Sequence, residues 1–372
     1  MGAKKGSSIK LAEVVLPARN INETLAFFTD RLSFRIATIY PADNPTTAVL
    51  VGPGIQIRLL YREDDSAAAA TEIRLLAEQP PSILDGVRQL TAPNGTRIRV
   101  GALHPETELP AARPSLVINR KTDGTHWIEG RAGMYYRDLV PDRQGGRFIA
   151  SHIRINKGGP VADYVHYHQI RFQMIFCRKG WVRVVYEDQG KPFVMQAGDC
   201  VLQPPLIRHR VLESSPGLEV IEIGCPAEHL TVADLEMDLP TDSTNPSRSY
   251  SGQRFVRHIA AEADWLAWRL DGFEFRDTGI AAASNGLAAA RVVRPLRSKH
   301  AIRVSEADAE FLFLFVLAGS VDVEINKQDD FSLHADDSIV IPASTIYRLQ
   351  ECTPDLEFLE VSLPAELHTR PL

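Results

Sequence analysis

The chain repeats itself, and that repeat limits the possible folds more than any other feature. Arg137-Asp138 in YYRDL returns as Arg276-Asp277 in EFRDT, 139 residues later. Gly180 in FCRKGWVRV returns as Gly319 in VLAGSVDVE at the same offset, and GDCVLQPPLIRH is matched by DDSIVIPASTIY at an offset of 138. Near-constant register over about 70 residues requires two copies of one unit packed together. The runs inside each copy are short and rich in Val, Ile and Phe. They include GRFIASHIRI, FQMIFC, WVRVVY and LEVIEI, then EFLFLFVLAG, VDVEI and SIVIP. Punctuation by Gly, Pro and Asp makes each copy an all-β sandwich or barrel. Two breaks, GALHPETELPAARPS (101–115) and the polar, linker-like LPTDSTNPSRSYSGQ (239–253), divide the chain into 1–115, 116–238 and 254–372.

Within the first copy, VHYHQIRFQ places His166 and His168 one residue apart in a strand-like run. Residues i and i+2 of a strand project to the same face, so both imidazoles can enter one barrel. His209 follows PPLIR, which can return a strand to that interior. Three neutral imidazoles on one side of an ion leave positions open on the other, the arrangement of a catalytic site.

These residues carry a resemblance to the cupin superfamily, whose small antiparallel barrels have two metal motifs. The first is matched by His166, His168, Gln173 and Gly180, and the second by Gly198, Pro204 and His209. Leu206 and Glu213 replace the later Gly and Asn of the second motif, and Pro160 stands where the first motif opens with Gly. The resemblance implies two double-stranded β-helix (jelly-roll) barrels, a bicupin. It also implies one divalent ion per chain on His166, His168 and His209, with Fe(II) expected first and Zn, Mn or Ni as alternatives. In the second copy the ligand positions become Ser305, Ala307, Leu312 and Tyr347, so that copy is expected to hold no metal.

Many cupin enzymes carry glutamate at the position of Gln173, which offers only a neutral amide. The ion would then keep its full charge and favour an anionic, chelating partner, and a carboxylate base at this point is absent. The three-histidine cupins include ring-cleaving and diketone-cleaving dioxygenases. The resemblance therefore implies C–C cleavage, with O2, of a small anion such as an aromatic hydroxy acid or a dicarbonyl. A Lewis-acid isomerase, lyase or hydrolase without O2 is the alternative enzyme, and a non-catalytic small-molecule binder the alternative outside enzymes. By strand parity Tyr164 and Arg171 join Gln173 as candidate catalytic residues, Arg171 as a holder of a substrate carboxylate. Arg208 and Arg210 are expected to point away from His209's face, Cys177 to be an inert buried thiol, and His126, His152 and His229 to be structural or surface residues.

The N-terminal part differs. Asn20-Ile21-Asn22-Glu23 is a capping-box pattern that opens an amphipathic helix through Leu25, Phe27, Phe28 and Leu32. LAEVVL precedes it and FRIATIY, TAVLV and IQIRLL follow. This α+β, βαβββ order, with TLAFFTDRLSF, resembles a module of the vicinal-oxygen-chelate (glyoxalase/bleomycin-resistance) superfamily, and PNGTRIRV resembles the closing strand of a second one. Glu13 falls where that family often has a ligand histidine. IQIRLL offers no further ligand, so the expected role is scaffold, dimerisation surface or lid.

The net charge of −6 and the lack of a Lys/Arg-rich face argue against nucleic acid. Four cysteines form no CxxC pair. MGAKKGSSIK is not followed by a signal-type apolar run, and no segment approaches a membrane span. A cytoplasmic protein without membrane contact, and a possible homodimer, is the expectation.

Overall fold

The computed structural model describes residues 11–41, 45–52, 54–77, 88–103, 107–123, 126–296, 305–326 and 329–371, which form two compact units, 1–106 and 107–372.

In the first unit, strand Val14–Ala18 is followed by helix Ile21–Ala26 and strands Arg35–Tyr40, Thr47–Gly52 and Ile55–Tyr61, the expected βαβββ order. The Asn20 side chain accepts a hydrogen bond from the Glu23 amide at 3.2 Å, which caps the helix. After six α-helical residues the helix widens to a π-helix at Phe27–Arg31, and Ile21, Phe28 and Leu32 are buried. Strands Glu72–Ala77, Gln89–Thr91 and Arg97–Ala102 make a second, three-stranded sheet with the last strand in the middle. Glu13 accepts from Arg58 Nε at 2.7 Å and Gln56 Nε2 at 2.6 Å, contacts that hold its carboxyl below the usual range.

The second unit contains two jelly-roll barrels. Strands Phe172–Lys179, Leu218–Cys225 and Ile149–Ile155 lie together in one sheet of the first barrel. Trp181–Tyr186, His209–Ser214 and His166–Gln169 lie in its other sheet. Phe311–Ala318, Glu357–Leu363 and Ala289–Pro295, opposed by Ser320–Ile325, Thr345–Gln350 and Ser305–Asp308, repeat the plan. The repeat survives at the level of register: His166 pairs with His209 as Ser305 pairs with Tyr347, and Gln173 pairs with Gly224 as Leu312 pairs with Ser362. Gly180 and Gly319 persist at positive φ because a Cβ would lie 2.3 Å from Ser215 Oγ in one copy and 2.4 Å from Thr353 Oγ1 in the other.

The copies are interlocked. Val117–Asn119 adds to the second barrel beside Ser338–Val340, and Val256–His258 adds to the first beside Cys200–Leu202. Each short strand thus extends the sheet of the other copy, across the boundaries suggested by sequence order. Phe148, Phe172, Met174 and Phe176 share a core with Phe311, Phe313, Phe315 and Leu359. Phe148 and Phe311 stack at 4.2 Å. FLFLFVLA is apolar throughout because it is buried on both faces: the even residues 312, 314 and 316 fill the second barrel and 311, 313 and 315 the shared core. The stretch 239–253, read as a linker, is tied to the first barrel instead. Arg248 pairs with Glu187 and Asp188 at 2.7 and 2.8 Å, and Tyr250 is buried.

A polar cluster is also buried in this unit. Arg137 donates to the Asp336 carbonyl, Lys121 and Arg178 pair with the Asp336 carboxylate, and His152 Nε2 donates to Glu219 at 3.0 Å. Burial pushes the His152 pKa below its ordinary value of 6.5, so the folded protein holds this ring neutral. As pH falls through 6.5 the unfolded chain takes up a proton that the folded chain refuses. His152's contribution is therefore complete above pH 6.5 and declines below it. His152→Gln is expected to flatten the stability–pH curve, measured by urea denaturation, between pH 7 and about 5.5, a window set by the ordinary histidine pKa.

Candidate metal centre

His166 begins strand His166–Gln169 and lies opposite His209 in the antiparallel neighbour, with Tyr186 opposite His209 on its other side. His168 shares His166's face, as the i, i+2 spacing requires. The ring centroids of His166 and His209 are 4.2 Å apart, and His168 lies 5.2 and 5.3 Å from them. One ligand nitrogen from each lies within 4.8 Å of the others.

The hydrogen bonds behind the rings select the nitrogens. His166 Nδ1 donates to the Tyr164 carbonyl at 2.8 Å and His209 Nδ1 to the Ile207 carbonyl at 3.0 Å. A carbonyl only accepts, so each Nδ1 carries the proton and each Nε2 the lone pair. His168 Nδ1 is held by the Thr231 hydroxyl at 3.0 Å. Buried Asp163 lies with Oδ1 3.6 Å from His166 Nδ1 while Oδ2 accepts from the Val211 amide. Asp163 escaped sequence reasoning, although its place three residues before His166 was a signal. This donor set fits a divalent ion, with three oriented imidazoles and a buried carboxylate behind one of them.

The three rings share a cavity of about 270 Å³ with Gln173, Gln203, Tyr186 and Glu222. Much of the remaining lining is apolar, including Met134, Ile153, Ile175, Val184 and Val220. Gln173 is buried and bonded on both sides of its amide: its Oε1 accepts from Gln203 Nε2 at 2.7 Å and its Nε2 donates to Glu222 Oε1 at 2.5 Å. Tyr186 OH donates to Gln203 Oε1 at 3.0 Å, and burial raises that phenol's pKa. Position 173 itself offers no carboxylate, but Glu222 brings one to the cavity from a strand some fifty residues away. Its signal was parity: in LEVIEI, Glu222 interrupts the inward row of Leu218 and Val220.

Two candidates fall outside the cavity. Arg171 sits in the bend between two strands, so strand parity does not reach it. Its guanidinium pairs with Glu310 at 3.2 Å and contacts Cys225 Sγ. Tyr164 precedes the strand; it holds His166 through its backbone carbonyl while its side chain is exposed. His229, read as structural or surface, lines the cavity instead, 5.2 Å from His168 with Nδ1 on the Pro226 carbonyl. Arg208 pairs with Asp234, whereas Arg210 reaches the cavity lining. Burial pushes the Cys177 thiol up to about 12, which leaves it inert.

The second barrel solves the same interior differently. Tyr347 and Leu312 are buried there; the side chains of Ser305 and Ala307 lie outside the described residues. Ile325, Ile341 and Leu312 stand where the first barrel has Tyr186, Gln203 and Gln173. Glu360, the counterpart of Glu222, is fully buried and accepts from Arg269 at 2.6 and 2.5 Å and from Arg291 at 3.4 Å. Arg269 also donates to Tyr347 OH at 3.0 Å. A guanidinium thus occupies this interior with its counter-charge. Arg269→Met is expected to destabilise the fold by about 3–5 kcal/mol in chemical denaturation, since it removes the two short bonds to a fully buried carboxylate and leaves it the 3.4 Å bond from Arg291.

Leu206, at the glycine position of the second motif, has φ +66°. A branched side chain is strained there, so Leu206→Gly is expected to raise stability by about 1 kcal/mol on the same assay.

No protein-family model matches the sequence, and no curated protein matches it at a significant level. Among solved structures, the R92A mutant of Bacillus subtilis oxalate decarboxylase aligns with TM-score 0.52 and 14% identity, over 72% of this chain and 82% of that one. The same enzyme at pH 4.6 aligns with TM-score 0.50 and 13% identity, over 72% and 79%. Another of its structures, described for its Mn(II) centres, gives 0.51 and 14% over 72% and 82%. At this identity the likeness is one of fold, and the fold is that of a bicupin.

Proposed function

We propose that the first barrel is the active site of a metal-dependent cupin enzyme acting on a small chelating anion, and that with Fe(II) it cleaves a C–C bond of an aromatic hydroxy acid or a dicarbonyl using O2. One observation carries this reading: three imidazoles, each fixed through Nδ1, converge on one side of a largely apolar cavity. His166, His168 and His209 would hold the ion. When bound, it would supply Lewis acidity and, as Fe(II), one-electron chemistry with O2.

The chain's own residues do the rest. Asp163 and the Tyr164 and Ile207 carbonyls keep the rings aimed. The apolar walls exclude water and accept the body of the substrate. A volume of about 270 Å³ accommodates one substituted ring, given that about 150 Å³ of apolar space takes benzene. The solved structures of similar fold are of an oxalate decarboxylase, one of them described for its Mn(II) centres, in keeping with a chelating anion and a divalent ion.

Glu222 favours a second reading, a Lewis-acid lyase, isomerase or hydrolase using Zn, Mn or Ni without O2, because a cavity carboxylate can take or return a proton. The βαβββ order of the N-terminal unit supports a vicinal-oxygen-chelate-like module there, in a non-catalytic role.

Elemental analysis of protein purified without chelators is expected to give about one divalent ion per chain, falling to near zero in His166→Ala. Iron with substrate-dependent O2 uptake supports the dioxygenase, whereas turnover without O2 uptake supports the second reading. Metal content unchanged in His166→Ala would overturn both.

A further inference from the structure

The oriented relay in the first cavity ends on an atom that the metal reading leaves unused. Tyr186 OH donates to Gln203 Oε1, Gln203 Nε2 to Gln173 Oε1, and Gln173 Nε2 to Glu222 Oε1. Each amide spends its oxygen upstream and its nitrogen downstream, so the chain of bonds runs one way and fixes the Glu222 carboxylate. Glu222 Oε2 has no hydrogen-bond partner among the described residues, although the residue lines the cavity with Ile175 and Val220. An acceptor set into apolar walls discriminates for a donor, because a ligand without one desolvates the oxygen and gives nothing back.

The second barrel shows the same carboxylate with both oxygens satisfied internally. There Arg269 donates to Oε1 and Oε2 of Glu360, and Arg291 adds a bond to Oε1. In the barrel with the three-histidine cluster the corresponding carboxylate has the Gln173 bond alone among the described residues.

Resting on the metal-enzyme reading above, we infer that Glu222 reads the substrate. Its Oε2 accepts a hydrogen bond from a hydroxyl on the substrate's apolar body, beyond the two oxygens that chelate, and Gln173 is the positioning residue that holds the carboxylate for it. A hydroxyl matches this site better than an ammonium group. A hydroxyl has one proton to place, which Oε2 takes, whereas an ammonium would leave two further N–H groups against Ile175 and Val220. The substrate class is a hydroxylated chelating acid, about one ring in size.

Calorimetric titration of the metal-loaded protein tests this, with 2-hydroxybenzoate as parent probe and the four isomers that carry one further ring hydroxyl. At least one isomer is expected to bind about 10- to 100-fold more tightly than the parent, the range of a charge-assisted hydrogen bond. Its methyl ether at that position should lose the gain. Glu222→Ala is expected to bring the ratio of the preferred isomer's Kd to the parent's close to one, a ratio that a merely structural role for Glu222 would leave as it is in the wild type. Should that variant fail to fold, Glu222→Gln keeps the volume and must cut the preference to a few-fold. No preferred isomer, or a preference that survives the folded variant, overturns the inference and leaves the metal reading standing. A parent probe that does not bind the metal-loaded wild type overturns both.

Discussion

The double burial of strand Phe172–Lys179 is the constraint on which the first barrel depends. One row of its side chains, Phe172, Met174 and Phe176, is locked into the core shared with the second barrel. Because side chains alternate along a strand, the other row, Gln173, Ile175 and Cys177, has no choice but to face the first barrel's interior. A slip of one residue would bring Gln173 into a phenylalanine core and remove it from the cavity, so register and site geometry are one requirement. The apolar contact between barrels therefore places a polar group that never touches it.

The two barrels are a natural comparison, with one backbone plan and two ways of handling an inward glutamate. The second barrel replaces the relay with Ile325, Ile341 and Leu312 and neutralises Glu360 with Arg269 and Arg291. That arrangement satisfies both carboxylate oxygens and contributes to the fold. The first barrel keeps the polar relay, adds three aimed imidazoles and leaves cavity space beside them. The relay orients a half-buried carboxylate toward the cavity that the imidazoles share, which is a physical reason to associate it with ligand chemistry.

Much of this was legible from the chain. The repeat announced two copies of a β unit, and i, i+2 spacing brought His166 and His168 to one face. The matched spacing of a second motif brought His209 beside them. Parity failed at Arg171 and Tyr164 because alternation holds only inside a strand, and both lie just outside one. His229 and Glu222 were missed for another reason: each reaches the cavity through a strand or turn whose only link to the motif is across the sheet.

Sequence alone determined the local features: alternation, capping at Asn20, the register of the internal repeat and the residue types able to bind a metal. These depend on neighbours a few residues apart, where backbone geometry is nearly fixed. Tertiary structure decided the exchange of strands between copies, the pairing of Arg171 with Glu310 and the direction of the Tyr186–Gln203–Gln173–Glu222 relay. Those depend on which strands lie side by side and in what register, a choice made by burying the two barrels' phenylalanines together and not by any short stretch of the chain.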